Sequence, residues 1–368
     1  MQLLTVHKNG VISLDGQEFQ LRSGWNYITT NQLSHSLMGV GELSTFINSK
    51  ELLEPIDYTG KRLLISRTGG LGDFFFIMRS VMEIKKKYEG VTVDFCCAPK
   101  YIELVKNIFY PTLLNSVNPI LIKYPMYEAC NYFFTFEGYI EANREALMFN
   151  AFDLMAKKFF VDIGLDHTVP VKLPPLYIEK ANILAKEWTR PVVGMQLRAS
   201  SIVRTYPVKD QEKIVQWLDL KGYNTLLLDT PMNIAEVMDQ WSTKTNKSVV
   251  LPYSPSIKPS MLLSTALVPH CKLLFVPDSV FVYLGDSFNI PTVAIYSVVH
   301  SSLRALGLNT YALEVEGGCR NCGTHGGFPC KWSVDGWSPC LKSLKAEHLC
   351  FILEGLLDGD KIFSNPQV

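Results

Sequence analysis

Short apolar runs alternate with stretches of helical period along most of the chain, and that alternation predicts an α/β protein. The clearest unit spans Lys61 to Val81. Leu63, Leu64 and Ile65 form the kind of run that a buried parallel strand shows. Arg67-Thr68-Gly69-Gly70-Leu71-Gly72-Asp73 follows as a glycine-rich turn. Phe74, Ile77, Met78, Val81 and Met82 then recur at helical spacing, with Lys85, Lys86 and Lys87 in the last turn. Strand, glycine turn and helix therefore follow in order. A glycine turn lets another molecule approach the backbone, and the helix start behind it favours negative charge. Asp73 at that start serves as a helix cap or as a carboxylate set beside a ligand. The glycines do not follow GxGxxG, and no Walker A lysine comes after them.

The same alternation continues downstream. Strands are predicted at 91–97, 133–136, 191–197, 224–229, 273–276 and 292–296. Helices are predicted at 101–109, 145–163, 211–220, 234–241 and 281–288. The proline-rich stretch 169–176 interrupts the pattern as an interdomain linker. Before residue 58 the pattern changes. Gly10 to Leu21 alternates apolar and polar residues around Asp15-Gly16, a hairpin signal. Residues 24–28 add a strand, and 43–47 a few helical residues. The expected organisation is a small β-rich appendage (1–57), a first Rossmann-like domain (58–174) and a second (175–368). The two doubly wound parallel sheets are expected to face each other, with ligands beyond the carboxyl ends of their strands.

Composition narrows the class. The 368 residues carry 35 Lys+Arg against 35 Asp+Glu, so no global field attracts nucleic acid or an acidic membrane. No apolar leader or membrane-length run is evident, which predicts a cytoplasmic protein of a bacterial or phage-infected cell. The nine cysteines predict reduced thiols rather than a disulfide framework. Cys319, Cys322, Cys330 and Cys340 lie in a glycine-rich stretch, 317–340, at a spacing that suits a structural zinc or iron, with His325 as a substitute ligand. Free thiols or a disulfide are the alternatives. Cys350 falls in an apolar helical run, and Cys96, Cys97, Cys130 and Cys271 have no partner at ligand spacing.

The candidate chemistry falls just after predicted strands. Arg198 and Arg204 share one polar loop and could clamp a diphosphate by charge-assisted hydrogen bonds, or make surface ion pairs. Asp278 and Ser279 open a helix, either as caps or as a phosphate site.

These segments are similar to the motifs of the heptosyltransferase-like glycosyltransferases, family 9. Arg67 to Asp73 resembles the family's strand followed by x-x-x-L-G-D. Val193 to Ser200 with Arg204-Thr205-Tyr206-Pro207 is similar to its V-G … A-S … K/R-x-W-P segment. Pro277-Asp278-Ser279 through Tyr296 resembles its D-S/T-G … P-T-V-A block, and Cys340-Leu341 to Leu349 its ending. The motifs run in the same order over residues 61 to about 355.

The resemblance implies a GT-B fold and inverting transfer of a sugar from a nucleotide-diphospho-sugar. It implies Asp73 as general base, Arg204 on the departing diphosphate, and donor contacts from Gly70, Gly72, Arg198, Ser200, Asp278, Ser279 and the position of Tyr283. No catalytic divalent metal is expected. Val280 stands where the family has glycine, Tyr283 where it has histidine, and Asp286-Ser287 where it has a small apolar pair. The expected acceptor is a saccharide. A hydroxylated DNA base and a protein are the other acceptors, and a non-catalytic nucleotide-binding protein or a sugar-nucleotide epimerase the other functions.

Overall fold

The computed structural model describes residues 2–6, 8, 10–14, 17–21, 26–29, 41–45, 56–110, 112–119, 132–136, 149–242, 248–304, 309–314, 330, 332–333 and 337–359. They group into two compact units. The first holds Met1–Gly69, Ser80–Ile140 and Ala156–Asp162, the second Gly70–Arg79, Glu141–Met155 and Ile163–Val368.

In the first unit, β1 (Gln2–Val6) pairs antiparallel with β4 (Asn26–Thr29) and β5 (Gly41–Thr45), while β2 (Gly10–Leu14) and β3 (Gln17–Leu21) make the expected hairpin. The few helical residues predicted at 43–47 are corrected: 41–45 is a strand in register with β1, Leu4 opposite Leu43. A stretch so short cannot pay for its own helix nucleus, and β1 offers it a ladder.

A four-stranded parallel sheet follows, built from β6 (Arg62–Ser66), β7 (Thr92–Cys97), β8 (Ser116–Pro119) and β9 (Tyr132–Thr135) in the order β8-β7-β6-β9. Leu63, Leu64, Ile65, Val93 and Phe95 are buried, as the apolar runs require. Two helices belong with these strands in the chain, α1 (Leu71–Lys87) and α2 (Ile102–Phe109). α3 (Ala151–Phe159) is shorter than the predicted 145–163. Its end is set by Phe160, whose backbone takes the left-handed φ of 56°; residues 141–148 lie outside the described set.

The turn before α1 is held from below by a buried arginine. Arg67 is buried and its Nη1 donates to the Phe136 carbonyl at 2.7 Å. A Cβ on Gly69 would lie 2.5 Å from that guanidinium, whereas one on Gly70 would meet nothing within 4 Å. Gly69→Ala should therefore cost about 1–3 kcal/mol, and Gly70→Ala close to nothing. Denaturant midpoints of the two variants check the contrast.

The second unit is a six-stranded parallel sheet of order β12-β11-β10-β13-β14-β15. Its strands are β10 (Val192–Met195), β11 (Asn224–Leu227), β12 (Val249–Val250), β13 (Cys271–Pro277), β14 (Thr292–Tyr296) and β15 (Thr310–Glu314). The connecting helices are α4 (Pro175–Lys186), α5 (Val208–Leu220), α6 (Pro231–Met238), α7 (Met261–Leu267) and α8 (Val280–Ser287), with α9 (Pro339–Ser343) and α10 (Ala346–Leu357) at the end. Val193, Phe275 and Ile295 from the sheet join Ile214, Leu218, Leu349 and Leu353 from α5 and α10 in one core. Cys350 is buried in it, and Cys96, Cys97 and Cys271 are buried as expected; Cys130 lies outside the described residues. The proline-rich stretch is not only a linker: Pro175 is the first residue of α4, where proline is favoured. Val169 is buried, and its carbonyl accepts from Ser287 Oγ at 2.7 Å. Among the described residues, no helix is long and apolar enough to cross a membrane.

Candidate active site

Three loops leave neighbouring strands of the six-stranded sheet at their carboxyl ends: Gln196–Pro207 after β10, Asp278-Ser279 after β13 and Ser297–Arg304 after β14. They are tied to one another. Asp278 N donates to the Ile295 carbonyl at 3.0 Å, and Ser297 Oγ to the Val203 carbonyl at 2.9 Å. Gln211 on α5 fixes the first loop by donating to the carbonyls of Leu197 (2.8 Å) and Tyr206 (2.6 Å). Val203, Val298, Val299 and Leu303 close a small apolar cluster beside it.

Arg204 and Asp278 come together. Arg204 Nη1 donates to the Asp278 carbonyl at 3.1 Å and lies 3.4 Å from its Oδ2; Nη2 donates to Ser200 Oγ. The two side chains are only 15% and 8% exposed, so each charge depends on the other. Arg204 Nε is buried without a hydrogen-bond acceptor among the described residues. Ser279 caps α8 by accepting from Phe281 N at 3.3 Å, and donates to Gln196 Oε1. Gln196 Nε2 in turn donates to the Arg198 carbonyl at 2.8 Å.

Arg198 turns elsewhere. Its Nη1 donates to Glu236 Oε2 at 2.7 Å and to Asn233 Oδ1 at 3.4 Å, both on α6. Its backbone N donates to Asp229 Oδ2 at 3.0 Å. Arg198 and Arg204 share a loop but not a partner, because Asp229, placed by the end of β11, draws the first half of the loop towards α6.

Asp73 is half-buried in the first turn of α1, where its backbone N donates to the Gly70 carbonyl at 3.1 Å. Residues 70–79 group with the second unit, and Tyr283 on α8 is their neighbour there. A Cβ on Gly72 would come within 3.0 Å of the Tyr283 ring. Phe75 stacks on that ring at 5.7 Å, and Phe76 and Phe152 meet it edge-on at 5.1 and 5.8 Å. Tyr283 is only 5% exposed, and its hydroxyl donates to the Arg304 carbonyl at 3.3 Å. Burial, aided by the charges of Asp278, Asp73 and Asp286, pushes its phenol well above the ordinary value. Tyr296, at the end of β14, is 1% exposed and is pushed up by burial in the same way. Its hydroxyl has no hydrogen-bond partner among the described residues.

Sequence reasoning missed Gln196, Gln211, Tyr296 and Arg304. The glutamines carry no motif, and a tyrosine ending an apolar strand is indistinguishable from core. It also paired Gly70 with Gly72 as donor contacts, whereas of the turn glycines Gly69, Gly70 and Gly72 only Gly70 has open space above it.

Asp286, one turn after Tyr283, accepts from Thr310 Oγ1 at 3.0 Å. Burial pushes its carboxyl up to about 6, against the pull of Thr310, Asn309 and His167; Asp166 adds to the rise. A raised carboxyl favours the protonated folded state. That stability is present below its unfolded value near 4 and is lost as pH rises through about 6. Asp286→Asn should therefore gain on wild type across that window, by about 3 kcal/mol in total. Unfolding free energies at pH 4 and pH 8 check this.

Of the cysteine quartet, Cys319 and Cys322 lie outside the described residues, as does His325. Cys330 packs against the Val203 cluster, and Cys340 Sγ lies 2.8 Å from Ser338 Oγ. Among the described residues, no three His, Cys, Asp or Glu side chains gather as a metal site.

Two parallel sheets with helices between their strands make the GT-B fold, in the form found in heptosyltransferase-like family 9 glycosyltransferases. No protein-family model matches the sequence, and no curated protein matches it. Solved structures do match. ADP-heptose LPS heptosyltransferase II of E. coli is similar with a TM-score of 0.61 at 13% identity, over 81% of this chain and 98% of that one. The dodecameric iron-containing heptosyltransferase TibC of enterotoxigenic E. coli, in complex with ADP-D-beta-D-heptose, is similar with a TM-score of 0.59 at 12% identity, over 96% and 91%. A family 9 glycosyl transferase of Veillonella parvula gives 0.55 at 13% identity, over 71% and 87%. At these identities the likeness is one of fold.

Proposed function

We propose that this chain is an inverting glycosyltransferase that moves a sugar from a nucleotide-diphospho-sugar to an acceptor hydroxyl. The observation that carries the reading is that Asp73 and the Arg204–Asp278 pair, which fall 131 or more residues apart in sequence, belong to one compact unit of a GT-B fold, and that the first turn of α1, which holds Asp73, abuts Tyr283 on the helix that Asp278-Ser279 opens. An inverting transfer needs these two functions. The Asp73 carboxylate takes the acceptor's hydroxyl proton as that oxygen attacks the anomeric carbon. The bond from that carbon to the diphosphate oxygen breaks, and its electron pair leaves with the phosphate. Arg204, whose Nε has no acceptor among the described residues, and the start of α8 stabilise that charge. The domain expected over 58–174, which supplies Asp73 and the four-stranded sheet, is proposed to bind the acceptor, and that over 175–368 the donor.

ADP-heptose is the first donor to test, because it appears with two of the similar structures. Incubation with ADP-heptose should release ADP in the presence of a saccharide or protein acceptor fraction. Release by wild type but not by Asp73→Asn supports the reading; equal release by both would sink it.

Cys319, Cys322, Cys330 and Cys340 are proposed to hold a structural iron, the metal named for TibC. The purified chain should then carry about one iron per chain, lost in Cys319→Ser and Cys322→Ser, as metal analysis would show. A chain with neither iron nor zinc would remove this part of the proposal.

A further inference from the structure

We infer that Tyr283 is a positioning residue for Asp73: its ring, not its hydroxyl, fixes the first turn of α1 and so the direction of the carboxylate. The inference rests on the proposed role of Asp73 as base. It departs from the expectation that this position contacts the donor.

Three observations carry it. The ring is seated against the turn that holds Asp73, since a Cβ on Gly72 would approach it to 3.0 Å and Phe75 and Phe76 from the same turn pack on it at 5.7 and 5.1 Å. The hydroxyl is already committed, donating to the Arg304 carbonyl at 3.3 Å, and so is not offered to a ligand. The side chain is 5% exposed, which leaves almost none of it to a ligand. One stacked and two edge-on aromatic contacts restrict both side-chain torsions, and a rigid ring is the kind of support that holds a base to the tolerance proton transfer needs. Glycine at position 72 then has a packing reason: it lets the helix start approach the ring closely.

Tyr283→Phe keeps the ring and removes the hydroxyl; Tyr283→Leu removes the ring. Three readouts separate the readings. In hydrogen exchange followed by mass spectrometry, Tyr283→Leu should raise exchange in a peptide covering residues 70–79 by about tenfold or more. A peptide over 208–220 should be unchanged, and Tyr283→Phe should resemble wild type. In a thermal-unfolding cycle, Gly72→Ala should lower the midpoint in the wild-type background and much less in Tyr283→Leu, because the obstacle is gone. With ADP-heptose as probe, the dissociation constant of Tyr283→Phe should stay within about twofold of wild type.

Unchanged exchange at 70–79 in Tyr283→Leu, or additive effects of Gly72→Ala and Tyr283→Leu, would overturn the inference. So would a tenfold loss of ADP-heptose affinity in Tyr283→Phe, which would return the residue to the donor site. The exchange and unfolding arms need no substrate, so they stand or fall apart from the glycosyltransferase reading, which fails if the wild-type chain neither binds nor turns over a nucleotide-sugar.

Discussion

Asp73→Asn is expected to lower sugar transfer by about 10³-fold while leaving the donor bound as in wild type. The substitution keeps the size and shape of the side chain but cannot take a proton, and a positioned general base contributes about 10²–10⁴ in rate. The fold should barely respond. Asp73 sits in the first turn of α1, where losing a negative charge costs about 0.3–1 kcal/mol. Single-turnover transfer, with donor affinity and thermal midpoint measured alongside, isolates the chemical step. A variant that transfers at the wild-type rate would reduce Asp73 to a helix-end charge.

Arg204→Ala should have the largest effect on stability and also remove donor affinity. The Asp278 side chain is 8% exposed and relies on Arg204 for its charge partner. Removing one member of a buried pair costs about 3–5 kcal/mol, because the other is left uncompensated. The double variant Arg204→Ala/Asp278→Asn should recover much of that loss, since no buried charge remains, and yet should still not bind a nucleoside diphosphate. Stability that returns together with binding would show that Arg204 serves the fold alone. Urea unfolding and calorimetric titration of the three proteins with ADP would decide it.

The sequence carried the central strands of both parallel sheets, because buried parallel strands are continuous apolar runs and need no partner to be seen, but it did not carry the edge strands β8, β12 and β15. β6, β10, β13 and β14 all lie where Leu63–Ile65, Pro191–Leu197, Leu273–Val276 and Thr292–Tyr296 place them. What it could not carry was decided by contacts distant in the chain. Residues 41–45 are a strand because β1 pairs with them, a fact absent from their own periodicity. Pro175 opens a helix because it stands at the first helical position, not in its interior. At the site, the residue types were legible and their pairings were not. Arg198 and Arg204 look equivalent on one loop, but Glu236 holds the first and Asp278 the second. The glycine turn is the sharpest case: Gly69 faces Arg67, Gly72 faces Tyr283, and Gly70 alone is open, so a pattern that suggests ligand approach is largely a record of internal packing.

The measurement that tests the central claim most directly is calorimetric titration of the purified chain with ADP-heptose and with ADP-, UDP-, GDP- and CMP-linked hexoses. The account predicts that one nucleoside-diphosphate sugar binds, that at about 100 times its dissociation constant it adds about 2.7 kcal/mol to stability, and that Arg204→Ala loses it. If none of the panel binds, or if binding is unchanged in Arg204→Ala, the glycosyltransferase account is contradicted at its donor site.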